Sequence, residues 1–446
     1  MTRPIRPLVR LFALLFGLAL ALAAPAARAA VDIQTVTSPG GLTAWLVQEE
    51  NIPFTALEIR FRGGTSLDDP ARRGAVNLMT GLLEEGTGDM DSQAFAAARD
   101  SLAASFSFSA DADTITISAR FLTENRDQAV DLLRQAITAP RLDAEAIERV
   151  RGQVLAGLRS AEKDPSEIVG QILRQQAFGD HPYATKGDGT LDSVAALTRD
   201  DLLTAHAATL ARDRVFIGAA GDISAEDLGA LIDDLLGDLP ATGAPLPGRA
   251  PFNLTGGVTV QDFPGPQSTV LFAHSGIKRD DPDFFAATIL NEVLGGGRFS
   301  ARLMTEVRDK RGLTYGIGTS LAGYDQAELV VGQAAVANDK VAEAMEVIRA
   351  EWARIARDGI TDEELAKTKT YLTGAYPLRF DGNGPLATIL VNMQLIGLPV
   401  DYPKTRNAKV EAVTPQDVKR VAARLFRPDD LRFIVVGQPQ GVTGTD

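Results

Sequence analysis

Segments in the two halves of this 446-residue chain repeat one another's pattern, in the same order and at a nearly constant offset of 214–218 residues. The stretch Leu142–Arg151 matches Ile360–Lys369, and Thr198–Leu202 matches Thr414–Val418. Each of the latter pair leads through a helical pattern into a short apolar strand, Val215–Gly221 and Leu431–Gly437. A further pair is Phe54–Gly64 against Ser268–Gly276. A repeat this long is no solenoid unit. It constrains the chain to two copies of one domain of about 200 residues, an ordinary domain size.

Within each copy, strands and helices are mixed. Thr55–Arg62 alternates as a strand does, and Phe106–Phe121 reads as two strands joined by a turn at Ala110–Asp113. Glu124–Ile137 and Ala144–Glu162 have helical spacing, and Asp143 and Asp362 stand where a carboxylate caps a helix. Hairpins combined with helices predict an α+β fold: two homologous domains, each a mostly antiparallel sheet packed with helices. The stretch Leu239–Pro251 is rich in Pro and Gly without apolar period, which favours an extended linker.

The first residues read as an address. Arg3, Arg6 and Arg10 precede the apolar run Leu11–Ala24, and Ala27-Arg28-Ala29 is a small-x-small cleavage site. The expected division is a signal peptide over 1–29, a first domain over 30–238, a linker over 239–253 and a second domain over 254–446. Cleavage removes four arginines and no acids, taking the net charge from −13 to −17. That acidity argues against nucleic acid or anionic membrane as partners. No later segment has the ~18 apolar residues of a membrane span. An exported chain without cysteine has no disulfides and no thiolate chemistry, and must rely on its core. These features predict a periplasmic protein.

The segment Gly74–Thr87 has the frame G-x-x-H-x-x-E-H-x-x-x-x-G-T, with the ligands replaced. It resembles the zinc motif of the pitrilysin/insulinase-type metallopeptidases. The resemblance puts the two zinc histidines at Asn77 and Gly81 and the catalytic glutamate at Thr80. Such a site needs imidazole on the metal and a carboxylate beside the metal-bound water. An amide, a hydroxyl and a hydrogen supply neither. In the family a further glutamate ligand lies in a V-x-E-E-I helix; here those positions fall in Val154–Leu158 and hold Ala156 and Gly157. The adjacent Glu84 and Glu85 point about 100° apart on a helix and read as a solvated face. Metal is therefore not expected in this chain.

The second half carries a different segment. Gly295–Gly297 leads into Ser300–Tyr315, which resembles the S-x-x-L-x-x-x-L/V-R-x-x-x-G-L-x-Y sequence of the C-terminal half or partner subunit in the same family. The resemblance implies that Arg308 and Tyr315 reach in trans to a zinc site on another half, bind substrate backbone and stabilise the oxyanion. A guanidinium and a phenol are suitable donors for developing negative charge. On residue type alone, Arg308 among Glu306, Asp309, Lys310 and Arg311 reads as a surface ion-pair residue and Tyr315 as core. The frame around them favours function.

Other chemistries lack residues. The three glycines are not followed by G-K-[ST], so they form no phosphate loop, and there is no G-x-S-x-G. His181, His206 and His274 are scattered and read as packed or surface residues. The resemblance implies half of a clam-shell chamber, completed by a zinc-bearing subunit with H-x-x-E-H, in which peptides are hydrolysed. The alternatives are a structural subunit, a stand-alone peptide-binding protein and, weakest, a homodimeric protease with an unrecognised metal site.

Overall fold

The computed structural model describes residues 32–445, so the segment read as a signal peptide lies outside the described residues. The strands are β1 (Gln34–Thr37), β2 (Thr43–Gln48), β3 (Phe54–Arg62), β4 (Gly86–Thr87), β5 (Met90–Asp91), β6 (Ser105–Ala110), β7 (Thr114–Leu122), β8 (Val215–Gly221), β9 (Gly257–Asp262), β10 (Gln267–Ser275), β11 (Thr314–Gly323), β12 (Glu328–Ala337) and β13 (Arg432–Gly437). They form a six-stranded sheet in the order β1-β2-β8-β3-β7-β6 and a five-stranded sheet in the order β11-β12-β10-β13-β9; β4 and β5 form a small ribbon. The two large sheets share one topology: β2-β8-β3-β7-β6 corresponds to β9-β13-β10-β12-β11. In each, one parallel pair (β2 with β8, β9 with β13) sits among antiparallel pairs. The fold is α+β with two homologous domains. No helix among the described residues is long and apolar enough to cross a membrane.

The duplication extends to local chemistry. Thr198 and Thr414, 216 residues apart, each cap a helix in a reciprocal box with Asp201 and Asp417. The expected carboxylate caps are otherwise. Asp143 occupies the cap position, but its carboxylate takes the Arg141 Nε at 2.7 Å and caps nothing. At the second site Thr361 is the cap, boxed with Glu364, and Asp362 is the first helical residue. The Thr361 hydroxyl accepts the Glu364 N–H at 3.2 Å.

Each sheet is covered on both faces. Leu57, Ile59 and Phe61 of β3 and Ile115, Ile117 and Phe121 of β7 face the core of the first half. The alternate residues of β3 do not face water, although their polarity suggests it. They lie under the helix Asn383–Leu395, which comes from the second half and packs on β8, β3 and β2. Arg60 pairs with Glu58 at 3.0 Å and donates to Asn392 at 2.6 Å, and Gln394 donates to the Ile217 carbonyl at 2.8 Å. The reverse exchange occurs in the second half. Phe272, Trp352 and Phe433 occupy its own core, whereas Leu271, Ala273, Ile434 and Val436 on the opposite face meet Val169 and Phe178 of the helix Pro165–Phe178.

Two hairpin tips close the seam between the halves. Tyr183 donates to Asp113 at the β6–β7 turn, Asp113 accepts the Asp325 N–H at 3.0 Å, and Arg62 pairs with Asp325 at 2.8 Å. Residues 239–253 have no helix or strand, yet they are fastened along their length. Ala250 donates to the Gln326 carbonyl at 3.0 Å and Asn253 to that of Ala177 at 2.9 Å, while Arg249 pairs with Glu328.

Gly218 of β8 sets how closely the crossing helix approaches. A Cβ there would stand 2.6 Å from the Ala387 carbonyl oxygen and 3.0 Å from the Leu390 side chain. Gly218→Ala is expected to lower unfolding free energy by about 1–3 kcal/mol, the usual cost of overpacking. Gly152, on a helix with open space at its Cβ, is the control: Gly152→Ala should be neutral or stabilise by up to ~1 kcal/mol. Urea denaturation of both variants checks this; equal effects would mean that the crossing helix is not held against β8.

Candidate functional site

The degenerate motif lies on the short helix Ala75–Thr80, which packs against the edge strand β6. Its start is fixed by Gly74, at φ 92°, where a side chain would strike the Asp188 carbonyl. The buried Asp68 carboxylate accepts the N–H groups of Gly74 at 2.8 Å and Val76 at 2.9 Å. Thr80 is 2% exposed and its hydroxyl donates to the Val76 carbonyl at 2.8 Å, so it is spent within its own helix. Asn77 is half-buried, and Gly81 is exposed. Ala156 and Gly157, on the facing helix Ala144–Ala161, are exposed and carry no donor. Among the described residues no three His, Cys, Asp or Glu side chains are placed to hold a metal. The donor set here does not fit the zinc of the resembling enzymes.

Glu84 and Glu85 differ from their expected solvated state. Glu85 takes both ends of the Arg149 guanidinium at 2.8 and 2.5 Å, and Glu84 meets Arg99 at 3.3 Å. Burial pushes the Glu84 carboxyl above its usual range. Arg149 belongs to the helix Ala144–Ala161, so the pair ties that helix to the end of the motif segment.

Each histidine is committed to structure. His274 is buried: the Trp352 indole donates to its Nε2 at 2.9 Å, so Nδ1 carries the proton and donates to the Ser275 carbonyl at 2.7 Å. Burial holds its pKa down to about 4. The His206 Nε2 bonds the Ile137 carbonyl at 2.6 Å, and that of His181 bonds the Gly248 carbonyl at 3.0 Å.

Arg308 and Tyr315 are brought together. Residues Met304–Asp309 form a π-helical turn, seen in the Lys310 N–H to Thr305 carbonyl bond of 3.0 Å. Such turns recur at functional sites. β11 then opens with a bulge: Thr314 pairs with Val336 and Ile317 with Ala334, leaving Tyr315 and Gly316 outside the ladder. A bulge re-aims the side chain it carries, and Tyr315 stands 91% exposed, not in the core. The Arg308 guanidinium lies 5.6 Å from the Tyr315 ring centre and 5.2 Å from that of Phe299, itself 71% exposed. Glu306 does not compete for Arg308. Lys310 and Arg311 bond it at 2.7 and 2.9 Å and hold its carboxyl below the usual range. Among the described residues the only carboxylate on Arg308 is its neighbour Asp309, at 3.2 Å. The sequence reading missed Phe299; an aromatic residue placed two positions after a glycine triplet was its only mark.

The glycines position this cluster. Gly295 accepts the Thr319 N–H at 2.7 Å, and a Cβ on Gly295 would stand 2.6 Å from the Thr319 hydroxyl. The turn is thereby clamped to β11, whose first residues carry Tyr315.

Comparison with known proteins separates the two halves in the same way. Residues 44–189 match the family description "Insulinase (Peptidase family M16)", and residues 196–372 match "Peptidase M16 inactive domain". The chain belongs to peptidase family M16. Among its relatives, the non-peptidase homolog YmxG of Helicobacter pylori is 25% identical over 406 residues, covering 88% of this chain and 91% of that protein. An uncharacterized zinc protease of Streptomyces coelicolor is 26% identical over 401 residues, covering 87% and 86%. The crystal structure of a peptidase M16 inactive domain from Pseudomonas fluorescens superposes with a TM-score of 0.86 at 27% identity, covering 92% of this chain and 99% of that one. The M16 match at residues 44–189 includes the motif lacking its ligands, and the inactive-domain match includes Arg308 and Tyr315.

Asp68, which holds the motif helix, supplies a pH test. Burial outweighs its two N–H bonds and pushes its carboxyl up to about 6. A carboxyl raised on folding stabilises the fold most when protonated. Its contribution is therefore full below the unfolded value near 4 and lost as pH rises through about 6. Native stability relative to Asp68→Asn should rise as pH falls from 7 to 4, by at most about 3 kcal/mol. Chemical denaturation across that range reads the difference; a flat difference would mean that Asp68 is not a buried carboxylate.

Proposed function

We propose that this chain is the exported, non-catalytic subunit of a two-chain M16 peptidase. It pairs with a separate subunit bearing H-x-x-E-H, which carries the zinc. Arg308 and Tyr315 act in trans on that subunit's site, where they bind substrate backbone and stabilise the tetrahedral oxyanion. The observation that carries this reading is the exposed Phe299–Arg308–Tyr315 cluster. Its donors stand at the surface of a chain whose described residues include no His, Cys, Asp or Glu cluster placed to hold a metal. An arginine held between two aromatic faces keeps its donors aimed outward.

Two of the four sheet edges, β6 and β11, suit the substrate. An extended peptide adds to such an edge through main-chain hydrogen bonds. β6 borders the motif helix, and β11 begins at Thr314, next to Tyr315. The leader-like segment over residues 1–29 and the lack of cysteine support a periplasmic location for the mature chain.

The test combines metal and rate measurements. The chain alone should contain no zinc and leave a quenched fluorescent peptide uncut, whereas a mixture with an H-x-x-E-H partner should cut it. Arg308→Ala should lower kcat/KM of the mixture about 10²–10³-fold, the usual loss on removing an oxyanion donor; Tyr315→Phe should lower it about tenfold or more. Stoichiometric zinc and cleavage by the lone chain would overturn the proposal. Activity of the mixture indifferent to both substitutions would assign the chain a structural role instead.

A further inference from the structure

A second feature, with none of Phe299, Arg308 and Tyr315 in its wall, lies between the helix Phe284–Leu294, the middle of β11 and the helix Asn383–Leu395. It is a cavity of about 580 Å³. Three arginines from separate segments line it: Arg279 ahead of the first helix, Arg379 in the turn Tyr376–Phe380, and Arg406 in the helix Tyr402–Glu411. Among the described residues no carboxylate forms an ion pair with any of them. Arg279 donates to the Tyr402 hydroxyl at 2.5 Å and lies 4.2 Å from the Phe284 ring centre. Arg406 donates to the Leu372 carbonyl at 2.7 Å and the Asn407 amide oxygen at 3.0 Å, and lies 4.5 Å from the Tyr376 ring centre. All three guanidiniums act on the Tyr376 phenol, which burial raises to about 12. They therefore converge on one region of the wall.

The acid on this wall is no counter-ion for them. Glu292 faces Arg298 at 3.7 Å, and burial pushes its carboxyl up. Elsewhere in a chain with 58 acids and 45 bases, arginines hold carboxylates: the part-buried Arg302 takes Glu364 at two points, and the exposed Arg420 takes Asp283. Clustering three cations at a partly buried wall without an anion is costly. A ligand that brings negative charge removes that cost. The rest of the wall is apolar, with Phe285, Leu321, Ile389 and Met393 on it. The volume falls within the range of small-molecule sites.

We propose that this cavity binds an amphiphilic organic anion, its carboxylate or phosphate head held by Arg279, Arg379 and Arg406 and its apolar body against the aromatic and aliphatic wall. The site uses none of the Arg308-cluster side chains and lies within this chain, so its test does not depend on peptidase activity. Titration calorimetry of the purified chain with dodecanoate and with dodecyl phosphate, both below their micellar concentrations, should give one molecule bound per chain. The tighter of the two identifies the head group. Arg379→Gln, at an exposed position that spares the fold, should weaken binding at least tenfold, as should Arg279→Gln, with circular dichroism confirming that both variants are folded. The proposal is overturned if neither anion binds, if dodecanol binds as tightly as the anions, or if neither substitution changes Kd.

Discussion

The structure depends on an exchange of helices between its two halves. The helix Asn383–Leu395 covers the sheet of the first half, and Pro165–Phe178 covers that of the second. The outer face of each sheet lies under a helix of the other half: Leu271, Ala273, Ile434 and Val436 on one, and a row of small and paired polar residues on the other. Burying ~25 cal/mol for each Å² of such surface is a strong constraint on relative position. Without disulfides, this mutual cover and the seam at Asp113, Tyr183 and Asp325 hold the halves as one body. The edge strands β6 and β11 and the Arg308 cluster are then fixed in relation to each other.

Much of the fold was legible because the duplication is written in local patterns. The hairpin over residues 106–121, the helices beginning near 126 and 144, and the helices following the matched segments at 198 and 414 follow from short-range rules that need no tertiary knowledge, whereas the caps expected at Asp143 and Asp362 do not form. The helix exchange was not legible. Alternation in β3 specifies two faces with different polarity, but Glu58 and Arg60 satisfy each other beneath a helix some 330 residues away, and a polar face under cover has the same pattern as one in water. The same reason misplaced Glu84 and Glu85, whose arginine partners come from elsewhere in the chain.

At the site, the spacing of Arg308 and Tyr315 within a longer frame identified the pair, and a π-helical turn followed by a bulge explains how seven residues of separation bring them to 5.6 Å. Phe299 escaped notice because one aromatic residue carries no pattern. The motif helix in the first half shows the converse. Its frame survives because Gly74, Asp68 and the packing of Val76 and Leu78 need that geometry for stability, while Asn77, Thr80 and Gly81 retain no group suited to zinc chemistry. The motif segment keeps its frame without zinc-binding groups, and the second half carries the exposed Arg308–Tyr315 pair on which the proposed function rests.

The most direct test of that function is where Tyr315 sits in the assembled protein. A photo-reactive p-benzoylphenylalanine in place of Tyr315, in the full chain mixed with an H-x-x-E-H subunit, can be irradiated and its cross-links mapped by mass spectrometry. The account predicts cross-links to the partner's zinc-motif segment, lost when a competing peptide fills the chamber. Cross-links confined to this chain itself, in a mixture that still cleaves peptide, would contradict it.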